Sequence, residues 1–565
     1  MSLVSGANPV KIETQPLQFK GLNKKEVIAD NEISSGQNIG FEALPKISPR
    51  FPREKIGSTW PNPKDLFSAG GKLVHVDGTD FYYDGIRKGT VTATKKSMVD
   101  FNGHIVIFPD KKYYCYKIGN PDVGTFGSFE TAVVDGGIIG IGNGVQTDFR
   151  YNSGQVLNNV YLDEVETTDY TEEDGVITFG STPIDGGNIG TGNGINTKFT
   201  YSYTDVLDAV YLDGVETTAY TDLNGAINFD TAPGEYVAVT VDYLESDVGS
   251  EIVVTVDYTS TTPDLDYVTT HYNRVFGCKG NTIRGSKWGD FKVWEDFSGE
   301  QDDSWATDVA SEGDFTGIYT YQDHVIFFKS NYMAELYGAY PSQFELIDVG
   351  AFGLIDQRAV AEGSGYLFFV DKDGVKQYTG GIPKLMSDEL NETYVKSALI
   401  SDGTKFYLFN YNGTSNKIYV FDLRTMTWMP EDNLDIVAFT EIEKDVYAFD
   451  TSGDIWKFNS GSSSGIVWNF ETKEFDMNTF YRKVVRKLKV SIKMDAGANI
   501  SLRISKNGGT FKVLSSYTNG SFSNYKEIYQ LIDLDRVNRF KIKISGLGKS
   551  IVTGVFEYSF RSDKK

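Results

Sequence analysis

The feature that most constrains this chain is a short hairpin unit that recurs along it. Residues 313–381 hold two copies, each with an apolar, aromatic-rich strand, a polar turn and a second strand ending in Tyr and Gly. The runs VIFF (325–328) and YLFFV (366–370) are short, bounded by turn residues and rich in β-branched and aromatic side chains, which is typical of buried strands. Asp373-Gly374 predicts a hairpin turn, because glycine adopts positive φ without steric cost.

The same pattern gives about seven units along the chain. They cover residues 72–85, 98–116, 273–297, 313–338, 359–381, 405–422 and 446–458. Each unit is one small antiparallel sheet, whose edges are costly to leave open. Radial stacking around a channel protects those edges, so we predict an all-β fold built on an irregular β-propeller of about seven blades. Stacked β-sandwiches are the alternative.

A longer repeat interrupts the series. Residues 135–183 match residues 185–233 at a constant offset of 50, so that Phe149 corresponds to Phe199 and Tyr161 to Tyr211. A strand-like run at 236–243 then recurs in near copy at 251–258. We interpret the repeats as small β-sandwich modules inserted in a loop between two blades, because lengthening a surface loop costs little closure entropy.

Five regions follow from these patterns. The prolines at 45, 49 and 52 oppose helix, and residues 1–70 are predicted to form an extended N-terminal arm. Residues 71–126 and 261–465 are the two parts of the propeller, and residues 127–260 are the insert. Alternating apolar and polar runs predict a C-terminal β-sandwich over residues 466–565. One helix is predicted from Met386 to Ile400, with Ser387 as its N-cap.

Composition restricts the chemistry. A net charge of −23 opposes a DNA-binding surface that extends along the whole sequence, because phosphate contacts need clustered Lys and Arg. The only cysteines, Cys115 and Cys278, are too few for a disulfide framework and are predicted to be buried free thiols of a protein made in reducing cytosol. No apolar run approaches the ~20 residues of a membrane span, and no secretory signal is predicted.

Candidate catalytic and metal-binding patterns are weak. His75, His104, His271 and His324 lack metal-ligand spacing and are predicted to be structural or surface residues. The sequence DKDG at 371–374 is interpreted as a hairpin turn, with a calcium loop as the alternative. We predict no enzymatic activity, no catalytic residues, no bound cofactor and no metal site.

Two residue sets are candidates for binding. Trp288, Trp294 and Trp305 lie near the carboxylates at positions 295, 296, 302 and 303, an arrangement that could bind sugar. The basic run YRKVVRKLK (481–489) is predicted to be a strand with one face more basic than the other. That face is either solvated or in contact with an acidic neighbouring subunit. Its candidate contact residues are Arg482, Lys483, Arg486, Lys487 and Lys489.

Several strings together resemble a known family. They are SSGQNIGFEALPKISPRFPR (34–53), LVHVDGTDFYYDG (73–85), HIVIFPDKKYY (104–114), YNRVFGC (272–278) and the series from GDFTGIYTYQDHVIFFK to DGVKQYTGG. These strings look like virion proteins of phages that infect Firmicutes. More distantly, the layout resembles the β-propeller tail nozzle and head-completion (stabilisation) proteins of short-tailed phages.

The resemblance implies a structural tail component that acts in virion assembly and DNA delivery. It implies a ring homo-oligomer of six copies around a channel through which genomic DNA leaves without specific binding, with other tail or connector proteins as partners. The protein would be made in the host cytoplasm and located in the virion tail. An acidic channel wall would repel DNA, which requires acidic residues facing inward. The alternative is a tail protein that binds a host receptor or cell-wall polysaccharide.

Overall fold

A computed structural model of the chain describes residues 11–562, apart from residues 17, 143–147, 151–155, 163–164, 169, 174–175, 180–187, 192–194, 201–206, 223–225, 235–236, 244–251, 298, 463–464, 477–481, 519–525 and 553–554. The described residues form strands, short turns and two single-turn 3₁₀ helices, Pro341–Gln343 and Asp388–Leu390. The chain divides into two compact units. The body comprises residues 1–128, 264–291 and 306–565, and the insert unit comprises residues 129–263 and 292–305.

In the described part of the chain, the body contains seven four-stranded antiparallel sheets, numbered here 1 to 7 along the sequence. Sheets 1 to 3 are Pro63–Ala69, Lys72–Asp77, Asp80–Tyr83, Ile86–Thr90; Ser97–Phe101, His104–Phe108, Lys112–Cys115, Phe126–Ser128; and Tyr267–His271, Arg274–Lys279, Thr282–Gly285, Trp305–Asp308. Sheets 4 and 5 are Phe315–Tyr321, His324–Lys329, Tyr332–Tyr337, Glu345–Gly350; and Val360–Gly363, Tyr366–Asp371, Gly374–Tyr378, Lys384–Leu385. Sheets 6 and 7 are Lys396–Ser401, Lys405–Tyr411, Asn416–Asp422, Thr427–Pro430; and Ile436–Ile442, Asp445–Asp450, Ile455–Phe458, Arg53–Ile56.

Each predicted hairpin unit supplies the two central strands of one sheet. The second strands are the most apolar and the most buried: all six residues of His324–Lys329 and all five of His104–Phe108 are buried. The first strands of sheets 2, 4 and 5 lie almost wholly within predicted units, where they were not recognised as separate strands. The first strands of sheets 1, 3, 6 and 7 lie outside the predicted units. Sheet 7 obtains its fourth strand, Arg53–Ile56, from the N-terminal region.

Apolar clusters join neighbouring sheets in the body. Val74, Val76 and Phe81 of sheet 1 pack with Ile105 and Ile107 of sheet 2. Another cluster joins sheet 7 to sheet 1, because Leu66 of sheet 1 packs with Ala438, Phe449 and Ile455 of sheet 7. The last sheet of the series is therefore packed against the first.

The C-terminal region forms two larger sheets together with the N-terminal strands. In order across the sheet, the six-stranded one is Gly21–Leu22, Glu32–Gln37, Val467–Thr472, Phe540–Leu547, Asn499–Lys506 and Lys512–Thr518. The five-stranded one is Lys11–Pro16, Val555–Ser562, Lys483–Met494 and Lys526–Val537, with Ser550–Val552 also paired to Lys483–Met494. A two-stranded piece, Ile39–Gly40 and Ser48–Pro49, lies in the same N-terminal stretch. The predicted arm is thus largely strand, shared between the C-terminal sheets and sheet 7.

The insert unit contains two modules of the same topology. The first has sheets Thr131–Gly142, Ile252–Thr261, Val156–Leu162, Val165–Thr167 and Asp148–Arg150, Val176–Phe179, Tyr170–Glu173. The second has sheets Asn188–Thr191, Ala238–Tyr243, Leu207–Leu212, Val215–Thr217 and Lys198–Thr200, Ala226–Phe229, Tyr220–Asp222. The near-copy runs at 236–243 and 251–258 therefore end the second and first modules respectively. The second module is inserted within the first, and the strand that completes the first module follows it in sequence.

The predicted helix from Met386 to Ile400 is wrong. Asp388–Leu390 forms one 3₁₀ turn, Asn391 has a positive φ of 46°, and Lys396–Ser401 is the first strand of sheet 6. Ser387 caps no helix, since its hydroxyl accepts the backbone N–H of Val375 at 2.8 Å. Burial of Ala398 and Leu399 in the body core outweighs the local helical pattern.

Candidate functional site

A polar segment of the body with contacts to several sheets lies before the first strand of sheet 5, at residues 356–358, and is called here the hub segment. The Arg358 guanidinium donates to the carbonyl of Val437 at 2.7 Å, in sheet 7, and to the carbonyl of Lys64 at 3.0 Å, in sheet 1. It also donates to the carboxylate of Asp65 at 2.8 Å. The carbonyl of Arg358 accepts the N–H of Leu399 in sheet 6 at 2.7 Å. One residue therefore binds three sheets.

Gln357 and Asp356 extend the hub to further sheets. The amide of Gln357 accepts the N–H of Ile318 at 2.7 Å and donates to its carbonyl at 2.8 Å, in sheet 4. A Cβ at Gly317 would lie 2.5 Å from the Gln357 amide oxygen, so a larger residue there would displace the Gln357 side chain. Asp356 accepts the Lys95 ammonium at 2.5 Å, just before sheet 2. Burial lowers the pKa of Lys95, and Asp356 opposes that effect.

An open cavity of about 510 Å³ lies among the first strands of sheets 4 to 7. Glu362 and Glu441 line it, together with Tyr319. Burial raises the pKa of both carboxyl groups, and burial followed by the charge of Glu362 raises the pKa of Tyr319. Among the described residues, no group of three or more His, Cys, Asp or Glu side chains is placed to hold a metal ion.

A second polar cluster holds the N-terminal strand of sheet 7. The buried Arg53 guanidinium donates to Asp432 at 2.7 Å, contacts Glu431 and lies 3.9 Å above the Phe458 ring centroid. Arg50 donates to the same Asp432 carboxylate at 3.1 Å. These contacts fix the segment that completes sheet 7.

The structure separates the candidate sugar-binding tryptophans by exposure. Trp294 is fully buried, Trp305 is half-buried, and Trp288 is 50% exposed. Burial of Trp294 counts against a stacking platform made by all three. Asp303 is buried too, where its carboxylate accepts the N–H groups of Gly299 and Glu300 at 2.5 and 3.2 Å, and so holds a loop.

The basic run lies on a central strand. Lys483–Met494 pairs on both sides, so its backbone offers no open edge over most of its length. The two faces of the run do not alternate regularly: Val485 and Leu488 are both buried, because the pairing register shifts between Val485 and Lys487. Arg482 is exposed and Lys489 is half-buried, whereas the side chains of Lys483, Arg486 and Lys487 lie outside the described atoms. The subunit contact stays a prediction.

The histidines differ in their surroundings. His75 is buried, stacks on Tyr82 at a centroid distance of 4.7 Å and contacts Trp60 at 4.3 Å, and neither ring nitrogen has a hydrogen-bond partner. Burial lowers the pKa of His75 to about 4. His271 lies 3.2 Å from the Asp323 carbonyl. His75 and His271 therefore lie in packing environments. Both cysteines are free and buried, as predicted.

The DKDG sequence is a hairpin turn, with Asp371 paired opposite Gly374. The turn residues are therefore Lys372 and Asp373, and Gly374 has a φ of 140° just after them. One carboxylate oxygen of Asp371 is buried without a hydrogen-bond partner. The hairpin is confirmed, with the turn centred one residue earlier than predicted. The pairs Asp174-Gly175 and Asn224-Gly225 predict equivalent hairpin turns in the two insert repeats, and these lie outside the described residues.

Charge is divided unequally between the two units. The insert unit has 28 acidic and 3 basic residues, whereas the body has 49 acidic and 51 basic residues. The acidic excess of the chain therefore lies entirely in the insert unit. An acidic channel wall stays a prediction.

No protein-family model matches the chain, and no curated protein matches it in sequence. A crystal structure of exo-β-1,3-galactanase from Phanerochaete chrysosporium with galactose aligns with 50% of this chain and 94% of its own, at 9% identity and a TM-score of 0.21. The N-terminal domain of Nup159 aligns with 48% and 94%, at 9% identity and 0.22. A glycoside hydrolase family 43 arabinoxylan arabinofuranohydrolase from Bacillus subtilis aligns with 90% and 97%, at 8% identity and 0.17. Scores this low carry no argument about fold or activity, so the absence of enzymatic activity stays a prediction.

Sequence reasoning missed the hub. The only local signal is a polar triplet, DQR, directly before a buried strand, and its partners are remote: Asp65 is 293 residues from Arg358.

In the part of the chain that the structure describes, no helix is long and apolar enough to cross a membrane.

Proposed function

We propose that this chain is a structural component of a bacteriophage tail, a nozzle- or hub-type ring around the DNA exit channel that acts in virion assembly and DNA delivery. The observation that carries the proposal is where the resembling strings lie. Residues 73–85 and 104–114 contain the central hairpins of sheets 1 and 2, and residues 272–278 reach the second strand of sheet 3. The resemblance follows the scaffold rather than one surface loop, which supports a shared architecture.

In this proposal the seven sheets close into a seven-bladed propeller. Packing of sheet 7 on sheet 1 supports closure, as does the N-terminal strand that completes sheet 7. Completing the last blade with a strand from the other end of the chain leaves no broken edge in the ring. The hub segment supports the same arrangement, since residues of sheets 1, 4, 6 and 7 can reach one short segment only if their first strands converge.

The hub also bears on the route of DNA. In a propeller, the point where first strands converge is the axis, and here that point is crossed by Arg358 and Gln357. The axis of a single copy is then occupied by protein. DNA would pass through the centre of a ring of several copies, along surfaces that each copy contributes.

The polysaccharide-binding alternative has less support. It relied on a set of three tryptophans, and the fully buried Trp294 cannot stack on a sugar ring. The half-exposed Trp288 and the half-buried Trp305 are what remains of that set.

Electron microscopy of the purified full-length protein tests the proposal. We expect annular particles with a central opening wide enough for duplex DNA and a constant number of copies. Isolated single copies at all concentrations, together with co-sedimentation with purified bacterial cell walls, would contradict the ring and favour the polysaccharide-binding alternative.

A further inference from the structure

Two parts of the chain carry opposite charge. Residues 129–263 contain 23 acidic and 2 basic residues, and residues 466–565 contain 19 basic and 9 acidic residues. Such oppositely charged surfaces attract one another over about 10 Å at moderate salt. The two parts are therefore complementary partners in charge.

The acidic residues of the insert occur at equivalent places in its two modules. Val165–Thr167 and Val215–Thr217 are edge strands, and each displays an exposed valine followed by an exposed glutamate, Glu166 or Glu216. The edge strands Tyr170–Glu173 and Tyr220–Asp222 add the exposed Glu172 and Asp222. We call these strands the acidic edges.

The acidic edges combine apolar and charged side chains. Val165 is 68% exposed and Val215 is 70% exposed, so each module displays a valine directly beside a carboxylate at the equivalent position. The repeat makes the surface bivalent, which raises its avidity for a partner that presents matching basic sites.

The C-terminal sheets present basic side chains. Arg482, Lys506 and Lys512 are exposed, and Lys489 and Lys493 are half-buried on a central strand. Lys512–Thr518 is the outer strand of the six-stranded sheet and also exposes Val513 at 59%. An exposed valine beside a lysine here matches an exposed valine beside a glutamate on the acidic edges.

We propose that the acidic edges of one copy dock on the basic C-terminal sheets of the next copy. This deepens the proposed ring function and rests on it. Because the two contacting surfaces differ, the contact is head-to-tail, and repetition with a closing rotation generates a ring. Each copy then uses its insert unit on one side and its C-terminal sheets on the other.

Light scattering of full-length charge variants tests the docking. The insert variant carries Glu166→Lys, Glu172→Lys, Glu216→Lys and Asp222→Lys, and the sandwich variant carries Arg482→Glu, Lys489→Glu and Lys512→Glu. A control variant matches the charge change of the insert variant at four exposed carboxylates of the body. It carries Glu312→Lys, Glu345→Lys, Asp348→Lys and Asp373→Lys. We expect the insert and sandwich variants to weaken self-association about tenfold or more, and the control to assemble like the unaltered protein.

Mixing gives the second readout. Insert and sandwich variants should associate with each other, because each retains the surface that the other has lost. The docking would be overturned if the insert variant self-associates as strongly as the unaltered protein, or if the control weakens self-association as much as the insert variant does. Either result would leave the proposed ring intact. An unaltered protein that stays monomeric at all concentrations and salt conditions would instead contradict the proposed ring function.

Discussion

The body and the insert unit use charge in opposite ways. The body balances its acidic and basic residues and places many of them inside, as in the buried pair of Lys96 and Asp110 and the Arg53 cluster. The insert unit has almost no cations, and its described carboxylates are mostly exposed, several of them on edge strands. Buried pairs contribute to a unique packing, whereas an unbalanced exposed surface contributes to attraction and repulsion between molecules. In the docking that we propose, the body is the scaffold and the insert unit is the contact module.

The largest effect is expected at the hub. Arg358→Ala removes the hydrogen bonds to Val437 and Lys64 and leaves the buried Asp65 carboxylate without its guanidinium. Breaking a buried ion pair costs about 3–5 kcal/mol of unfolding free energy. Calorimetry should show a lower melting temperature for the body and an unchanged transition for the insert unit. Equal stability of the variant and the unaltered protein would show that the hub does not hold the sheets together.

His75 should make the body sensitive to acid. Its pKa falls from 6.5 to about 4 on folding, so the folded state binds fewer protons and loses stability as the pH falls from about 6.5 to about 4. This linkage amounts to on the order of 3 kcal/mol. His75→Phe removes it without losing a hydrogen bond, because neither ring nitrogen has a partner.

Urea unfolding at pH 6.5, 5 and 4 measures the difference. As the pH falls towards 4, the unfolding free energy of the unaltered protein should fall more than that of His75→Phe. The insert unit contains no histidine, so its transition should show no such dependence. Parallel pH profiles of the two proteins would contradict the assigned pKa.

The insert modules should respond alike to equivalent mutations. Val160 and Val210 are both fully buried, each in the core of its own module. Val160→Ala and Val210→Ala should each cost about 2 kcal/mol by loss of buried methyl groups. Either substitution should lower the melting temperature of the insert unit and leave that of the body unchanged, as measured by calorimetry. A shift of the body transition by either variant would remove the distinction between scaffold and module.

The smallest effect is expected for an exposed ion pair in the body. Arg87 contacts Asp80 at 2.7 Å, but the two side chains are 53% and 36% exposed. Arg87→Ala should change the unfolding free energy by about 0.5 kcal/mol or less, because water and salt screen such pairs. Chemical denaturation of Arg87→Ala and Arg358→Ala under the same conditions compares the loss of unfolding free energy at an exposed and at a buried ion pair. A loss comparable to that of Arg358→Ala would contradict the expected difference.

Sequence patterns predicted the repeated hairpins because strand burial and turn residues are local. They did not predict what depends on remote contacts. The segment from Met386 to Ile400 has a helical pattern, but the core selects a strand around Leu399. The bulge after Val485 changes which side chains face inward, and no local residue marks it. The hub joins residues hundreds of positions apart, so its polar triplet is uninformative without the fold.

The nested insert shows the same limit. The repeat of 50 residues was visible, but the strands Ala238–Tyr243 and Ile252–Thr261 had no assigned partners in the sequence. Each pairs with two strands of its own module, one of which precedes it by about the length of that module in the chain. Likewise, the charge contrast follows from the boundaries of the compact units rather than from the total of −23.

The most direct test of the account is cross-linking of a mixture of ¹⁴N- and ¹⁵N-labelled full-length protein with a zero-length carbodiimide, followed by mass spectrometry. This reagent joins carboxylates to lysines, and mixed isotopes identify links between different copies. The proposed docking predicts links between copies that join acidic residues of 129–263 to lysines of 466–565. Links within single copies alone, or links between copies that avoid the insert, would contradict it.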